Sequence, residues 1–454
     1  MKQERDSIDF GTMDISHLFR KMFIPTLLGM VLTATITIAD GIFVGRGVGS
    51  DALASVNIVA PFFMLATGIG LMFGIGVSVV ASIHLSHNKT KAANINVTQA
   101  FTVSAFFMLI ASALVMLFSE SVALLLGSSE RLLPLVLEYL HWIVPFLVFN
   151  MFLSIGLFVI RLDGSPNFAM LCSAVPAVVN VVLDYILIFP LGLGLSGAAI
   201  ASNLATLSGS IMILVYMTKY SKTLHFYRPK FTRTSLRLTA RNTCYMVKLG
   251  FSAFLNEAAI ACMMLVGNYV FMHYLNEDGV AAFSVACYCF PIVFMVNNAI
   301  AQSVQPIISY NHGIGNTNRI RSAFHLSIRT ALLFGLITNL GVAGLCPQLT
   351  SSFLGNSVPA YQIAVEGIPY FTCGFIFFAL NIVCIGYLQS LERFRSATVF
   401  TLLRGVILMI LCFFLLPYLW GVIGIWLAVP LSEMLTLLSI GVFFLFNKRV
   451  VKSI

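Results

Sequence analysis

Residues 22–44 read MFIPTLLGMVLTATITIADGIFV, an apolar run with one charge, Asp40. About 20 apolar residues in helical form cross the ~30 Å hydrocarbon core of a bilayer. The same reading applies to 53–83, 97–118, 132–160, 166–188, 194–217, 243–273, 279–310, 323–345, 360–388, 396–416 and 420–446. Continuous rather than alternating apolar runs predict an all-α polytopic membrane protein with 12 transmembrane helices, and they exclude an outer-membrane barrel. Composition points the same way. Of 454 residues, 59% are hydrophobic and 9% charged, against about 25% charged in a soluble domain. Soluble enzymes, nucleic-acid binders and disordered chains are thereby excluded. No enzymatic activity and no nucleic-acid partner are expected. The partner is the lipid bilayer, and the protein is expected to be a monomer.

The net charge of +9 matters less than its distribution. With a cytoplasmic N-terminus, alternate loops collect Lys2, Arg5, Arg20, Lys21, Lys89, Lys91 and Arg161 on the inner side. The same side receives eight basic residues between 218 and 248, then Arg319, Arg321, Arg329, Arg393, Arg395 and the tail residues Lys448, Arg449 and Lys452. That is 23 of 26 basic residues; Arg46 and Arg131 fall outside, and Arg404 falls within a span. The positive-inside rule then places both termini in the cytoplasm of a multi-pass protein of the cell (inner or plasma) membrane. The first 17 residues are polar, carry charges of both signs, and read as a short cytosolic segment. Nine cysteines, none in a CxxC pair, read as small core residues rather than a metal or disulfide framework.

The polar stretch 218–242 divides the chain into an N-lobe (1–217, spans 1–6) and a C-lobe (243–454, spans 7–12), joined by a cytoplasmic linker. Sliding one half along the other aligns Lys21 with Lys248, Phe62 with Phe290, His84 with His312, Glu138 with Glu366, Ala169 with Ala397, Gly194 with Gly421 and Ala201 with Ala428. Every offset is 227 or 228, and each pair falls at the same point of the same span. Two six-span halves of equal orientation make a pseudo-symmetric repeat about an axis along the membrane normal. Transporters use that geometry to bind substrate between halves that rock.

An ionisable side chain at bilayer depth costs at least about 2.5 kcal/mol, so it is read as functional. Asp40 stands six residues before Arg46, and Asp184 six before Pro190, so the two share a depth. Thr33 and Thr37 lie on the Asp40 face, and Asn180 is one turn from Asp184. Two carboxylates and an amide at one level suggest a cation site: Asp40, Asn180 and Asp184 offer hard oxygen ligands to Na+, and a close acidic pair could carry a proton instead. The competing reading places the carboxylates at the interface. Asn256 and Glu257 in span 7, with Asn298, Gln302 and Gln305 along span 8, form polar positions that could line a central cavity or bond helix to helix. Arg404 and Glu433 read equally as an ion pair or as transport groups. Pro25, Pro61, Pro145, Pro176, Pro291, Pro306 and Pro369 mark bends. No nucleotide-binding motif appears, so no cofactor is expected beyond a coupling ion, Na+ and/or H+.

The stretches IADGIFVGRGVGSDALASV, RLDGSPNFAML, NVVLDYILIF and GLSGAAIASNL, answered by GYLQSLERFRSA and GVIGIWLAVPLSEML, resemble the multidrug and toxic compound extrusion (MATE) family, nearer its DinF-like branch. The resemblance covers nearly the whole chain. It implies a two-lobe fold and alternating-access antiport, with efflux of organic cations and amphiphilic drugs in exchange for Na+ or H+. It implies a cation-coupling set at Asp40, Asn180, Asp184 and Ser202, with Ser202 where the family often has Thr. Glu257 matches the acidic residue of span 7 in NorM-like members; in span 10 only Asn381 is polar. Two alternatives remain at this point. One is a lipid-linked sugar flippase of the same superfamily, disfavoured by the scarcity of buried basic residues. The other is a major-facilitator uptake carrier, whose loop signature is absent from SHNKTKAANIN.

Overall fold

The computed structural model describes residues 8–128, 130–228, 232–353 and 359–447. Where no water can bond the backbone, a chain must satisfy its own N–H and C=O groups, and helices do so within each segment. The apolar stretches accordingly form α1 (Ile15–Gly47), α2 (Ser50–Ser86), α3 (Thr90–Leu117), α4 (Leu133–Leu162), α5 (Pro166–Ile188) and α6 (Gly194–Tyr220). They continue as α7 (Arg233–Asn276), α8 (278–313), α9 (Thr317–Gly344), α10 (Pro359–Ser390), α11 (394–420) and α12 (422–446). The helical runs from Arg233 and from Leu408 are continuous in backbone bonding, but each reverses direction at one residue with positive φ, Asn276 (53°) and Gly421 (55°). Those residues divide α7 from α8 and α11 from α12, so twelve spans are present among the described residues. Pro25, Pro61 and Pro176 lie inside α1, α2 and α5, and Pro145 sits in a 3-10 turn within α4.

The half-chain repeat is visible in the backbone. Positive φ recurs at Gly49 and Asn276, Asn88 and Gly315, Gly164 and Glu392, and Gly194 and Gly421, always 227 or 228 residues apart. A left-handed residue fixes how one helix turns into the next, so matching turns give both halves the same local path. Three of these positions carry Asn88, Asn276 and Glu392 where the matching residue is glycine. The chain divides into two compact units: residues through Met13 with Arg20–Glu257, and Asp14–Phe19 with Ala258 onward.

Within the first unit, α2 and α7 cross backbone to backbone. A Cβ at Gly76 would meet the carbonyl of Met246, and one at Gly250 would meet the carbonyl of Met72. The glycine run GIGLMFGIG is therefore a close-packing device.

The stretch 218–242 is tied down at its start. Asp163, buried at the end of α4, accepts bonds on Oδ1 from the backbone N–H of Thr223 and Leu224 (both 2.8 Å). Its Oδ2 accepts from the Lys222 N–H (2.8 Å) and the Tyr216 hydroxyl (2.7 Å). Beyond it, the His225 N–H donates to Asn94 Oδ1 (3.2 Å) and the Tyr227 N–H to Thr98 Oγ1 (2.8 Å), pinning the segment to α3. One carboxylate thus satisfies three backbone donors that have no helix to satisfy them. Asp163→Ala leaves those donors unmet, and each buried unmet group costs about 1–3 kcal/mol. We expect a lower unfolding temperature and faster proteolysis between 221 and 228; unchanged values for both would show that the clamp carries no stability.

Candidate functional site

The site begins with helix register. A Cβ at Gly29 of α1 would lie 3.4 Å from the Ser173 side chain of α5, so the two helices approach closely there. At the other end, Gly47 packs on Ile188 and Phe189, and Phe43 meets the Phe189 ring edge-on (6.1 Å between centroids). Asp40 stands eleven residues after Gly29, and Asp184 eleven after Ser173. Equal rise along two neighbouring helices that run the same way brings the carboxyls face to face, about 16 Å beyond the glycine contact. They lie within hydrogen-bonding range of each other.

The wall around them is apolar: Val44, Val136, Leu140, Ile143, Ile188 and Leu195 belong to one packed cluster. Asp184 is 0% exposed. Both of its carboxyl oxygens, and Oδ1 of Asp40, meet no donor among the described residues. Two neighbouring acids whose buried oxygens meet no donor among the described residues lack what a buried polar group needs, a proton or a cation. One turn below Asp184, the buried Asn180 side chain donates to Ser202 Oγ on α6 (3.3 Å).

Sequence reasoning missed Tyr139. It lies on α4 in the same apolar cluster, 9% exposed, close enough to feel the charge of both carboxylates. The available signal was a phenol inside the apolar run LVLEYLHWIV, and nothing in that run singles it out from 13 other tyrosines. The donor set is two carboxylates, the Asn180 amide and the Ser202 hydroxyl. No three His, Cys, Asp or Glu side chains converge among the described residues. Oxygen donors of this kind suit a hard cation or a proton, not a soft transition metal.

The other sequence-selected residues fall in several places. Thr33 is exposed and donates to the Gly29 carbonyl (2.9 Å). The Thr37 side chain lies outside the described residues. Asn256 and Glu257 are buried on α7 in the first unit, with Glu257 against Gly68 of α2. Asn298 and Gln302 lie on α8 in the second unit, where Asn298 is half-buried, its amide bonded to the Phe294 carbonyl (3.0 Å), and Gln302 is buried.

The acidic pair is not repeated. The positions 227 and 228 residues on are Gly267 and Asn268, and Leu411 and Cys412. The second unit instead holds a buried Arg404–Glu433 pair (Nη1 to Oε1, 3.1 Å). Asn381 donates to Glu433 Oε2 (2.7 Å) and to its carbonyl (2.8 Å), and the Arg404 guanidinium lies over the Phe378 ring (4.8 Å). Arg404 sits in a widened, π-helical turn, Leu403–Ile407. This carboxylate already has a cation, tethered to the chain.

Fold and site together define a helical membrane transporter with two repeats and one unneutralised acidic pair. The MatE family model matches residues 25–186 and again 253–414, a displacement of 228 (253 − 25), and the chain belongs to that family. An FAD transporter of Shewanella oneidensis is 26% identical over 433 residues, covering 93% of this chain and 92% of its own. The multidrug export protein MepA of Staphylococcus saprophyticus is 24% identical over 439 residues, 96% of this chain and 93% of its own. An outward-facing multidrug resistance MATE family transporter of the MOP superfamily superposes with a TM-score of 0.89 at 19% identity, over 97% of this chain and 98% of that one. A MOP superfamily transporter of Pyrococcus furiosus, described as having a binding pocket of reverse polarity, gives 0.87 at 19% identity over 95% of each chain. At this identity, the structural likeness is one of fold.

The Arg404–Glu433 pair can be tested separately from transport. Removing one partner of a buried pair costs about 3–5 kcal/mol, because the other charge is stranded, whereas replacing both is nearly neutral. Arg404→Met is expected to lower the unfolding temperature and Arg404→Met/Glu433→Gln to recover most of the loss. Additive losses in the double variant would contradict the pairing.

Proposed function

We propose that the chain is a secondary antiporter that exports organic cations and other amphiphilic compounds in exchange for Na+ or H+. The coupling ion binds at Asp40 and Asp184, with Asn180 and Ser202 supplying neutral oxygens and Tyr139 a further hydroxyl. The observation that carries this reading is the acidic pair, whose buried oxygens meet no donor among the described residues. An ion or proton there removes the repulsion; its departure restores it. A ligand shifts a conformational equilibrium only through its different affinity for the two states. Taking that equilibrium from 1:99 to 99:1 needs a difference of about 10,000-fold. Binding between paired carboxylates in an apolar wall suits that task, because the interaction exists only while both remain packed.

Thr33, Thr37, Asn256, Glu257, Asn298 and Gln302 are the proposed cargo-facing polar positions. The distribution of basic residues supports a place in the cell membrane with both termini cytoplasmic. The MepA relatives, named for multidrug export, support the cargo class. A second reading has one specific support, the relative named as an FAD transporter: the cargo would then be an anionic dinucleotide. Against it, Arg404, the arginine buried mid-span among the described residues of the second unit, is already engaged by Glu433.

Reconstituted vesicles with Na+ and pH gradients imposed separately distinguish these readings. Wild-type protein is expected to drive efflux of a cationic dye under at least one gradient. Asp40→Asn and Asp184→Asn should each reduce that efflux to the level of protein-free vesicles while membrane insertion stays normal. Wild-type rates in either variant would remove the pair from coupling. Added FAD that competes with the dye would favour the second cargo.

A further inference from the structure

The exposed face at the start of α7 is chemically unlike the rest of the helix surface. Arg233, Arg237, Arg241 and Lys248 are all exposed. At 3.6 residues per turn they fall within an arc of about 80°, a single basic stripe. Thr239 and Asn242 lie about 150° round the helix from the centre of that stripe. They are the anchored side: Gln99 of α3 donates to Thr239 Oγ1 (2.9 Å) and accepts from the Asn242 amide (3.0 Å). These bonds hold the helix against α3 and set the stripe pointing away from the protein.

Among the described residues, no acidic side chain pairs with the stripe. There is no Asp or Glu from 218 to 256, and none of the four residues joins an ion pair among the described residues. Five whole turns after Arg233 the same face carries Phe251, still 37% exposed, where the helix has entered its apolar run. The basic stripe therefore runs directly into an exposed apolar face, with the change of character between Arg241 and Phe251.

We propose that this face of α7 binds the phosphate headgroups of anionic phospholipids. Lys248 and Arg241 reach the headgroups directly, their apolar stems lying along the acyl boundary. Arg237 and Arg233 stand farther out, within the attractive field of the leaflet, which decays over about 8 Å at physiological ionic strength. Because α3 and the pinned segment 221–228 share the anchored side, lipid bound here also steadies the connection between the two halves of the chain. The proposal concerns a lipid surface and stands whatever the coupling ion or cargo.

The test uses the full chain purified in detergent. Its unfolding temperature is followed as phosphatidylglycerol or phosphatidylcholine is titrated into the micelles, with inorganic phosphate as a third arm. Phosphatidylglycerol is expected to stabilise the wild type, phosphatidylcholine and inorganic phosphate to do little, and high salt to weaken the effect. Arg241→Gln/Lys248→Gln should need roughly 10- to 30-fold more phosphatidylglycerol for half the effect, and Arg233→Gln/Arg237→Gln distinctly less. Equal stabilisation of the wild type by the two lipids, or by inorganic phosphate alone, would overturn the proposal without reference to any variant. So would an unchanged titration in Arg241→Gln/Lys248→Gln.

Discussion

Two carboxylates pressed together in an apolar wall need a positive charge, or a shared proton, to stay there. At a separation of ~4 Å and an effective dielectric of about 20, two bare negative charges repel by about 4 kcal/mol. That is a large fraction of the stability of an ordinary domain. Here the contact is forced by helix register: α1 and α5 meet at Gly29 and Ser173 and again at Gly47 and Ile188, and the acids lie between these contacts. Among the described residues, none donates a hydrogen bond to either Asp184 oxygen or to Asp40 Oδ1. An exchangeable cation or proton completes the site, and whatever binds there is coupled to how α1 and α5 pack.

The second unit meets the same electrostatic demand differently. Glu433 is as deeply buried, but Arg404 and Asn381 satisfy it from within the chain. A tethered cation cannot leave, so this carboxylate has no need of an ion from solution. The two halves share turns at four matching backbone positions, yet only one holds an acidic pair without a partner. Repeat architecture thus fixes the framework, while charge chemistry makes the halves unequal.

Much of this was legible before any coordinates. The spans were readable because a bilayer demands long apolar helices, and the repeat because equivalent residues recur at a constant offset. Asp40 and Asp184 were found from cost: an acid at depth must be accounted for. Asn180 followed from its spacing to Asp184 and Ser202 from resemblance, and the structure shows them bonded to each other. What could not be read was side-chain pairing across helices distant in sequence. Arg404 and Glu433 left an ion pair and a transport role equally open; only coordinates join them. Tyr139 was hidden among aromatics that fill core or face lipid. Asp163 sat inside a recognised motif with no role, because its partners are backbone N–H groups some sixty residues on, which have no sequence signature. The turns at Asn276 and Glu392 were similarly invisible, since neither is the glycine expected at positive φ.

The acidic pair can be observed directly by infrared difference spectroscopy on the purified protein. If Asp40 and Asp184 share a proton or a cation, the wild type should show a protonated-carboxyl stretch that disappears when Na+ is added or the pH is raised. Asp40→Asn/Asp184→Asn should lack that change. The same difference band in the double variant, or no response of the wild type to either Na+ or pH, would contradict the account.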